Sequence, residues 1–572
     1  VFNEIWVIDS EFSAPPGELP TPVCFVGKEI NSGKVIRIWV EGDKPQPAPF
    51  SSGRDTLVVA YYASAEWNTF LALGWPLPVN MLDLYAEFKN MTVPNKRIAG
   101  SGLLGAATYF GIPHGTSDDK TEGRDLVMRG GPWSPEEKEH ILRYCESDVD
   151  ATVGVYHSIM WHFSDPDAFQ RALLRGRYTG AVARMERTGV PIDVDVLRLL
   201  RSRWEGLKND LIHEIDANYH VYENGSFREH LWEDYLREKG IPWPRLPSGR
   251  LRLDDQTFKS IAQSYPEVQP VRDLRYILGQ LKLHDIAVGS DGRNRALLSP
   301  FGTKTGRNSP STVRFIFGPA VWLRSLIRPE PGMALAYIDY EQQEFGIAAA
   351  LSGDSRMQEA YLSGDPYLAF AKQAGAVPPN ATKESHKSER DRFKQCVLAV
   401  QYGMGPESLA KKIKRPVPYA EELLDLHRAS YSVFWEWSDR VVTFAMLYGY
   451  LNTAFGWRLS ITSDTKERTI RNFPMQANGA EILRLACIFA TESGIRVCAP
   501  VHDAILIEAP EDEIADAVKE TQDHMGQAGK IVLDGFQLRT EAEVIRYPGR
   551  YTDPRGIDMW NRVCKHLGIA DL

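Results

Sequence analysis

Hydrophobic spacing changes character along the chain. Through about residue 165, short apolar runs alternate with stretches of helical period. Glu4–Ile8, Val35–Val40 and Leu57–Ala60 have the short apolar pattern of strands. Ser134-Pro135-Glu136-Glu137 opens a helix, with Ser as cap, Pro in the first turn and Glu three residues after the cap. The spacing carries that helix to about Met160, and Ser164-Asp165-Pro166-Asp167 reads as a break. From about Ala168 to Gln280 the pattern is helical and charged. Gly189-Val190-Pro191-Ile192-Asp193 and a Pro/Gly-rich stretch from Ile241 to Arg250 punctuate it. Beyond Leu281 the periods mix. Met333–Tyr340, Arg496–Val501 and Ala504–Glu508 read as strands, with a helix over Ser388–Ala399 between them.

Composition bounds the answer. The 572 residues are 43% hydrophobic and 25% charged, ordinary values for a globular chain of several domains. No apolar run is long enough for a membrane span, and Val1-Phe2-Asn3-Glu4 does not begin a signal peptide. The six cysteines are scattered without a CxxC pair, which disfavours a zinc site or disulfide framework and favours a reducing compartment. The net charge of −9 argues, as a sum, against a nucleic-acid partner. Locally the balance reverses: Thr382 to Arg415 holds nine Lys and Arg against four Asp and Glu. Taken alone, such a stretch is a solvated helix face.

Two groups of residues carry candidate chemistry. In the first, Asp9 and Glu11 lie two apart at the end of a strand, so both side chains point to one face. Adjacent carboxylates repel and call for a cation between them. Glu66 follows the strand Leu57–Ala60, and Tyr144 and Asp148 share a helix face at i and i+4. Four acids around two divalent ions would suit phosphodiester hydrolysis, with Tyr144 orienting water. The plainer alternative makes Tyr144 a core aromatic and Asp148 a surface acid. In the second group, Asp339 ends an apolar strand and Asp503 sits between two apolar runs, where a tight hairpin would project it. The helix between them carries Arg390, Lys394, Leu398 and Tyr402 at intervals of four, hence on one broad face. Its basic N-terminal end could hold a triphosphate.

These motifs resemble known families. Asp9-Ser10-Glu11, Glu66 and Tyr144 with Asp148 are similar to the DEDDy 3′→5′ proofreading exonuclease domain. There the resemblance departs at Tyr62 and Glu66, where Asn and Asp are usual; Asp83 is the fallback ligand. Asp339 to Glu344, Arg390 to Gly403, and Val501-His502-Asp503 resemble motifs A, B and C of the family A, polymerase I-like DNA polymerases. The resemblance implies an α/β plus α+β multidomain fold: an RNase H-like exonuclease domain over residues 1–165, then a right hand. That hand divides into thumb and start of palm (166–330), palm with motif A (331–353), fingers (354–450), and palm with motif C and the C-terminus (451–572).

The resemblance also implies roles. Asp339 and Asp503, with the carbonyl of Tyr340, would hold two Mg²⁺ ions, Mn²⁺ being an alternative. Asp9, Glu11, Glu66 and Asp148 would hold a second pair. Arg390 and Lys394 would grip the triphosphate, Lys394 donating a proton to pyrophosphate. Glu344 would exclude a 2′-hydroxyl, Leu398 would face the incoming base, and Tyr402 would stack near the template base. Gln342 lies in the same motif A turn. Arg307, Gln476 and His502 would contact the primer terminus, and Arg468 and Asn472 the DNA. Three departures stand out: Ala504 where motif C usually has Glu, Leu398 where motif B has an aromatic, and Gly346 where motif A has Arg. Implied partners are primed template DNA, deoxynucleoside triphosphates and replication accessory proteins. The chain is expected to be a cytoplasmic monomer of phage type with no preceding 5′-nuclease domain. The rival reading is a repair 3′→5′ exonuclease whose C-terminal body binds DNA without synthesis.

Overall fold

The computed structural model describes residues 2–41, 47–92, 100–113, 117–161, 163, 165–280, 285–318 and 320–569. Ser164, in the expected break, lies outside them. The first body is built on a five-stranded sheet. In spatial order its strands are Val35–Trp39, Thr21–Glu29, Glu4–Ser13, Thr56–Ala60 and Asn80–Asp83. The first three pair antiparallel, and the last two continue parallel. Thr56–Ala60 is buried at every position, as a parallel strand covered on both faces must be. The helix Pro135–Met160 packs on the first two strands in chain order. Its start is fixed by a reciprocal capping box between Ser134 and Glu137.

Two strands here escaped the sequence pattern. Thr21–Glu29 has its apolar run flanked by Pro22 and Gly27, and Asn80–Asp83 spans only four residues. The first strand also runs past Ile8 to Ser13, because pairing with Thr21–Glu29 continues through a register shift between Glu11 and Phe12. Asp9 and Glu11 therefore lie within the strand and not at its end.

The second body holds a four-stranded antiparallel sheet in the order Arg496–Val501, Ala504–Pro510, Met333–Tyr340, Thr540–Arg546. The first three strands are the predicted ones. Thr540–Arg546 is an edge strand on which only Ile545 is buried, so it shows no apolar run. The helix Glu467–Glu492 and the helix Ile514–Val532 pack on each other beside this sheet. The basic stretch forms the helix Lys387–Gln401, followed by Gly403 in a left-handed turn. Among the described residues, no helix is long and apolar enough to cross a membrane. All six cysteines are free and buried.

The helix Pro166–Thr188 joins the two bodies. It packs on Asn80–Asp83 and on the helix Ala63–Leu73 from one side, and on Glu467–Glu492 and Arg496–Val501 from the other. Gly176 permits that approach: a Cβ there would lie 1.9 Å from the carbonyl oxygen of Met81. One residue earlier, Arg175 is buried and holds Glu87 through Nε at 2.6 Å and Nη2 at 2.7 Å. Its Nη1 donates to the Phe455 carbonyl at 2.9 Å, so one guanidinium ties three parts of the chain together. Removing one partner of such a buried pair strands the other charge. Glu87→Gln is expected to lower stability by about 3 kcal/mol. Urea unfolding checks this, and a loss well under about 1 kcal/mol would show that the pair is not an anchor.

Candidate active sites

Asp339 stands one residue before the end of its strand. Its register partners are Ala504 on one side and Glu541 on the other. Asp503 precedes Ala504 in a two-residue turn whose first residue, His502, has φ 58°. That left-handed conformation, which His tolerates better than most residues, sets Asp503 beside Asp339. The Tyr340 N–H donates to the Asp503 carbonyl at 3.4 Å.

The two carboxylates lie side by side, each raising the cost of ionising the pair. Burial, then the neighbouring Asp503, push Asp339 up to about 7. Burial also raises Asp503. The Asp339 Oδ1 is buried without a hydrogen-bond partner among the described residues. A half-buried like-charged pair with an oxygen to spare fits a divalent cation. Glu541 adds a third negative charge, which also raises Asp339. The motif comparison missed it because it sits on the unpredicted edge strand.

A cavity of about 320 Å³ opens beside the pair. Its walls include Arg307, Gln342, Glu344, Leu398, Tyr402, His502 and Asp503, seven of the predicted site residues. Arg307 faces Glu344 at 3.8 Å. Burial nonetheless raises the Glu344 carboxyl, against the pull of Arg307. Burial lowers the His502 imidazole. Arg390 and Lys394 stand 5.5 and 5.6 Å from the ring centre of Tyr367, which also lines the cavity.

Four predicted residues lie elsewhere. Gln476 is half-buried on Glu467–Glu492, and Arg468 and Asn472 line a separate cavity of about 720 Å³. The Tyr340 ring points into the core, its hydroxyl donating to the Met525 carbonyl at 2.8 Å, so only its backbone remains for a ligand. Gly346 leaves no room for the usual Arg, since a Cβ would meet Leu538 at 2.5 Å. The cation near this turn comes instead from Arg539, which pairs with Glu341 at 3.0 Å.

The second site lies on the first sheet. One ligand atom each from Asp9, Glu11 and Cys145 lie within 4.8 Å of one another. Burial, then Asp9, hold the Glu11 carboxyl well above its ordinary range. Cys145 donates toward Asp9 Oδ2 at 3.3 Å. Its nearness follows from its place directly after Tyr144, a position the i, i+4 reading passed over. Asp148 and Glu66 are near enough to raise Glu11, yet neither joins the 4.8 Å group. Glu66 is buried and accepts from Ser10 Oγ at 2.5 Å, and Ser10 alternates to the face opposite Asp9 and Glu11. Tyr144 packs on Gly123, where a Cβ would come within 2.6 Å of its ring. Asp83, the fallback ligand, is spent on structure: its Oδ1 accepts from the Tyr62 and Tyr85 amides at 3.0 and 2.9 Å.

Fold and sites together define a mixed α/β, mostly helical protein with two carboxylate centres on separate sheets. Residues 283–545 match the sequence profile of DNA polymerase family A. The chain is 28% identical over 392 residues to DNA polymerase I of Chloroflexus aurantiacus, covering 62% of this chain and 41% of that protein. It is 26% identical over 397 residues to DNA polymerase I of Aquifex aeolicus, covering 65% and 66%. The chain thus aligns with less than two thirds of the length of either relative. In fold it is similar to the polymerase domain of Pol1 from M. smegmatis, solved with DNA primer-template and dNTP. The TM-score is 0.71 at 18% identity, over 95% of each chain. Over residues 283–545, a little under half of the chain, the sequence is similar to DNA polymerase family A.

The raised Asp339 makes a pH prediction. An unfolded Asp loses its proton near about 3.9, the folded one near 7. Between those values the folded state binds more protons, so this group's contribution to stability falls as pH rises. In metal-free buffer at about pH 8, Asp339→Asn is expected to exceed wild type by on the order of 2 kcal/mol, screening allowed for. The gain should vanish near about pH 4. Urea unfolding with a chelator at both pH values checks this; equal stabilities at the higher pH would exclude a repulsive pair.

Proposed function

We propose that this chain is a DNA-templated DNA polymerase that adds deoxynucleotides to a primer 3′ end and proofreads with a 3′→5′ exonuclease. The observation that carries the reading is the 320 Å³ cavity. There, residues from positions 307, 342–345, 398–402 and 502–503 meet beside a carboxylate pair. Chain segments so far apart converge on that cavity together with the basic face of the Lys387–Gln401 helix. A DNA-binding body that performs no synthesis has no use for such a constellation.

Divalent cations, most simply Mg²⁺, held by Asp339, Asp503 and the Tyr340 carbonyl, and by Asp9, Glu11 and Asp148, would activate the primer hydroxyl in one site and water in the other, while Glu66 stays with Ser10. The chain's own side chains supply the rest. Arg390 and Lys394 bind the triphosphate, and Lys394 carries the proton to the leaving pyrophosphate. Glu344, kept in the cavity wall by Arg307, crowds a 2′-hydroxyl. Tyr402, half-exposed at the helix end, offers its ring to the template base. Arg307 and His502 take the primer terminus, while Arg468, Asn472 and Gln476 hold the duplex further out.

A cavity of about 620 Å³ bounded by Phe12, Tyr62, Ser299 and Arg314, one residue along the strand from Glu11 at Phe12, has room for an unpaired primer end. The reading assigns residues 1–165 to the exonuclease, 166–330 to thumb and early palm, 354–450 to fingers, and the remainder to palm. Its setting would be replication of phage DNA in the host cytoplasm.

Primer extension and mismatch excision on one labelled duplex test both activities. Asp503→Ala is expected to lose at least about a hundredfold in incorporation while excision continues, and Asp9→Ala the converse. Incorporation intact in Asp503→Ala would leave only the exonuclease reading. Leu398 offers an incoming base less contact than a ring. Leu398→Phe is therefore expected to speed single-nucleotide insertion and shift sugar discrimination; no change in either would remove Leu398 from nucleotide selection.

A further inference from the structure

Arg390 meets the cavity already held. Its Nε donates to Asp365 Oδ2, and its guanidinium lies 5.5 Å from the ring centre of Tyr367. The Nη1 group has only a long 3.5 Å contact to the exposed Asp391. Asp365 thus occupies the inner edge of the guanidinium and leaves the outer pair of nitrogens for a ligand. That outer pair is the edge a phosphate takes in two-pronged recognition.

Asp365 is itself fixed from two directions. Its Oδ1 accepts from the Leu368 amide at 3.1 Å and caps the helix Pro366–Gln373. One residue back, the Gly364 carbonyl accepts from Arg539 Nη2 at 3.3 Å. The same Arg539 nitrogen reaches Gln342 Oε1 at 2.9 Å and Glu341 at 3.0 Å. Glu341 and Gln342 directly follow Asp339 and Tyr340 in the chain. A path of ion pairs and hydrogen bonds, with one covalent step from Gly364 to Asp365, therefore runs from the turn after the carboxylate strand, through Arg539, to Arg390.

We infer that Asp365 is a positioning residue, which with Arg539 sets Arg390 at a fixed distance from the Asp339–Asp503 pair and in the pose that receives a nucleoside triphosphate. The inference rests on the proposed polymerase reading for its ligand, and on the contacts above for its geometry. Without the carboxylate, Arg390 is a long side chain free to sample other rotamers, and the triphosphate must order it on binding. The nucleotide then binds more weakly, while the reacting groups, held by other residues, turn over at their former rate.

Asp365→Asn separates charge from fold, because Asn caps a helix as well as Asp. Asp365→Ser, also a capping residue, serves as the second neutral variant. Two quantities are read on primed template: kcat and KM for dNTP in extension, and Kd for dNTP by equilibrium dialysis with Ca²⁺ under non-catalytic conditions. Both neutral variants are expected to raise KM and Kd about tenfold, with kcat held within about twofold. In an Arg390→Ala background, the same substitutions should add less than about twofold, since their target is gone. Unchanged KM and Kd, or a full tenfold effect without Arg390, would overturn the inference. Wild type that binds dNTP yet extends no primer would sink the polymerase reading, while the Kd comparison still decides Asp365. Wild type that binds no dNTP would sink both.

Discussion

The arrangement turns on a repulsion. Asp339 and Asp503 are forced into contact by sheet register, because Asp339 pairs with Ala504 and Asp503 is the residue before it. Nothing in the backbone lets them separate without breaking the Met333–Tyr340 pairing. Glu541 adds a third acid from the other side. Such a cluster is tolerable only with a bound proton or a cation. The surrounding basic residues do not neutralise it directly. Arg307 is turned to Glu344, Arg390 to Asp365 and Arg539 to Glu341. These three arginines are thus paired with other acids, although Arg307 also lowers Asp503, and the central pair keeps a place for an exogenous positive charge.

The same logic shapes the first sheet with a different outcome. Asp9 and Glu11 share one face, but Glu66 is drawn off by Ser10 on the opposite face, where the Ser10 hydroxyl also pairs with Thr69. A longer side chain at position 66 can reach that hydroxyl pair. Cys145 fills the vacated neighbourhood, donating to Asp9. The first centre in the chain is consequently a smaller, partly thiol-lined cluster. Its carboxylates are relieved in part by a weak thiol donor, where the Asp339–Asp503 pair has backbone amides.

Much of this was legible in the sequence, for identifiable reasons. Apolar runs next to a single acid marked the central strands of the second sheet, since a buried strand must be apolar except where it carries chemistry. The intervals of four along Arg390, Lys394, Leu398 and Tyr402 described a real face: Leu398 and Tyr402 reach the cavity, while Arg390 and Lys394 flank Tyr367 at its margin. What stayed hidden depends on pairing in space. The edge strand Thr540–Arg546 has one buried residue and no periodic signal. Arg539, Asp365 and Tyr367 belong to a turn and a short helix whose composition is that of any loop. Cys145 faces Asp9 only because the Pro135–Met160 helix packs across the strand at that height. Arg468, Asn472 and Gln476 were placed by motif likeness alone, and the structure sets them in or near a second cavity.

The Gly346 departure shows how such substitutions compensate. An Arg at that position would extend from the Gln343–Ser352 helix, but Leu538 and the Tyr361 ring fill the space. The neighbour of Leu538 then supplies the missing cation, from the strand side. Arg539 has a second duty: it stacks on Tyr361 at 4.8 Å, and its amide N–H donates to the Tyr361 hydroxyl at 2.8 Å. Tyr361 in turn donates to the Glu341 carbonyl at 3.0 Å. The Arg539 guanidinium therefore ties the turn after Asp339 to the segment that begins at Gly364, and so links the carboxylate sheet to the helix that carries Arg390.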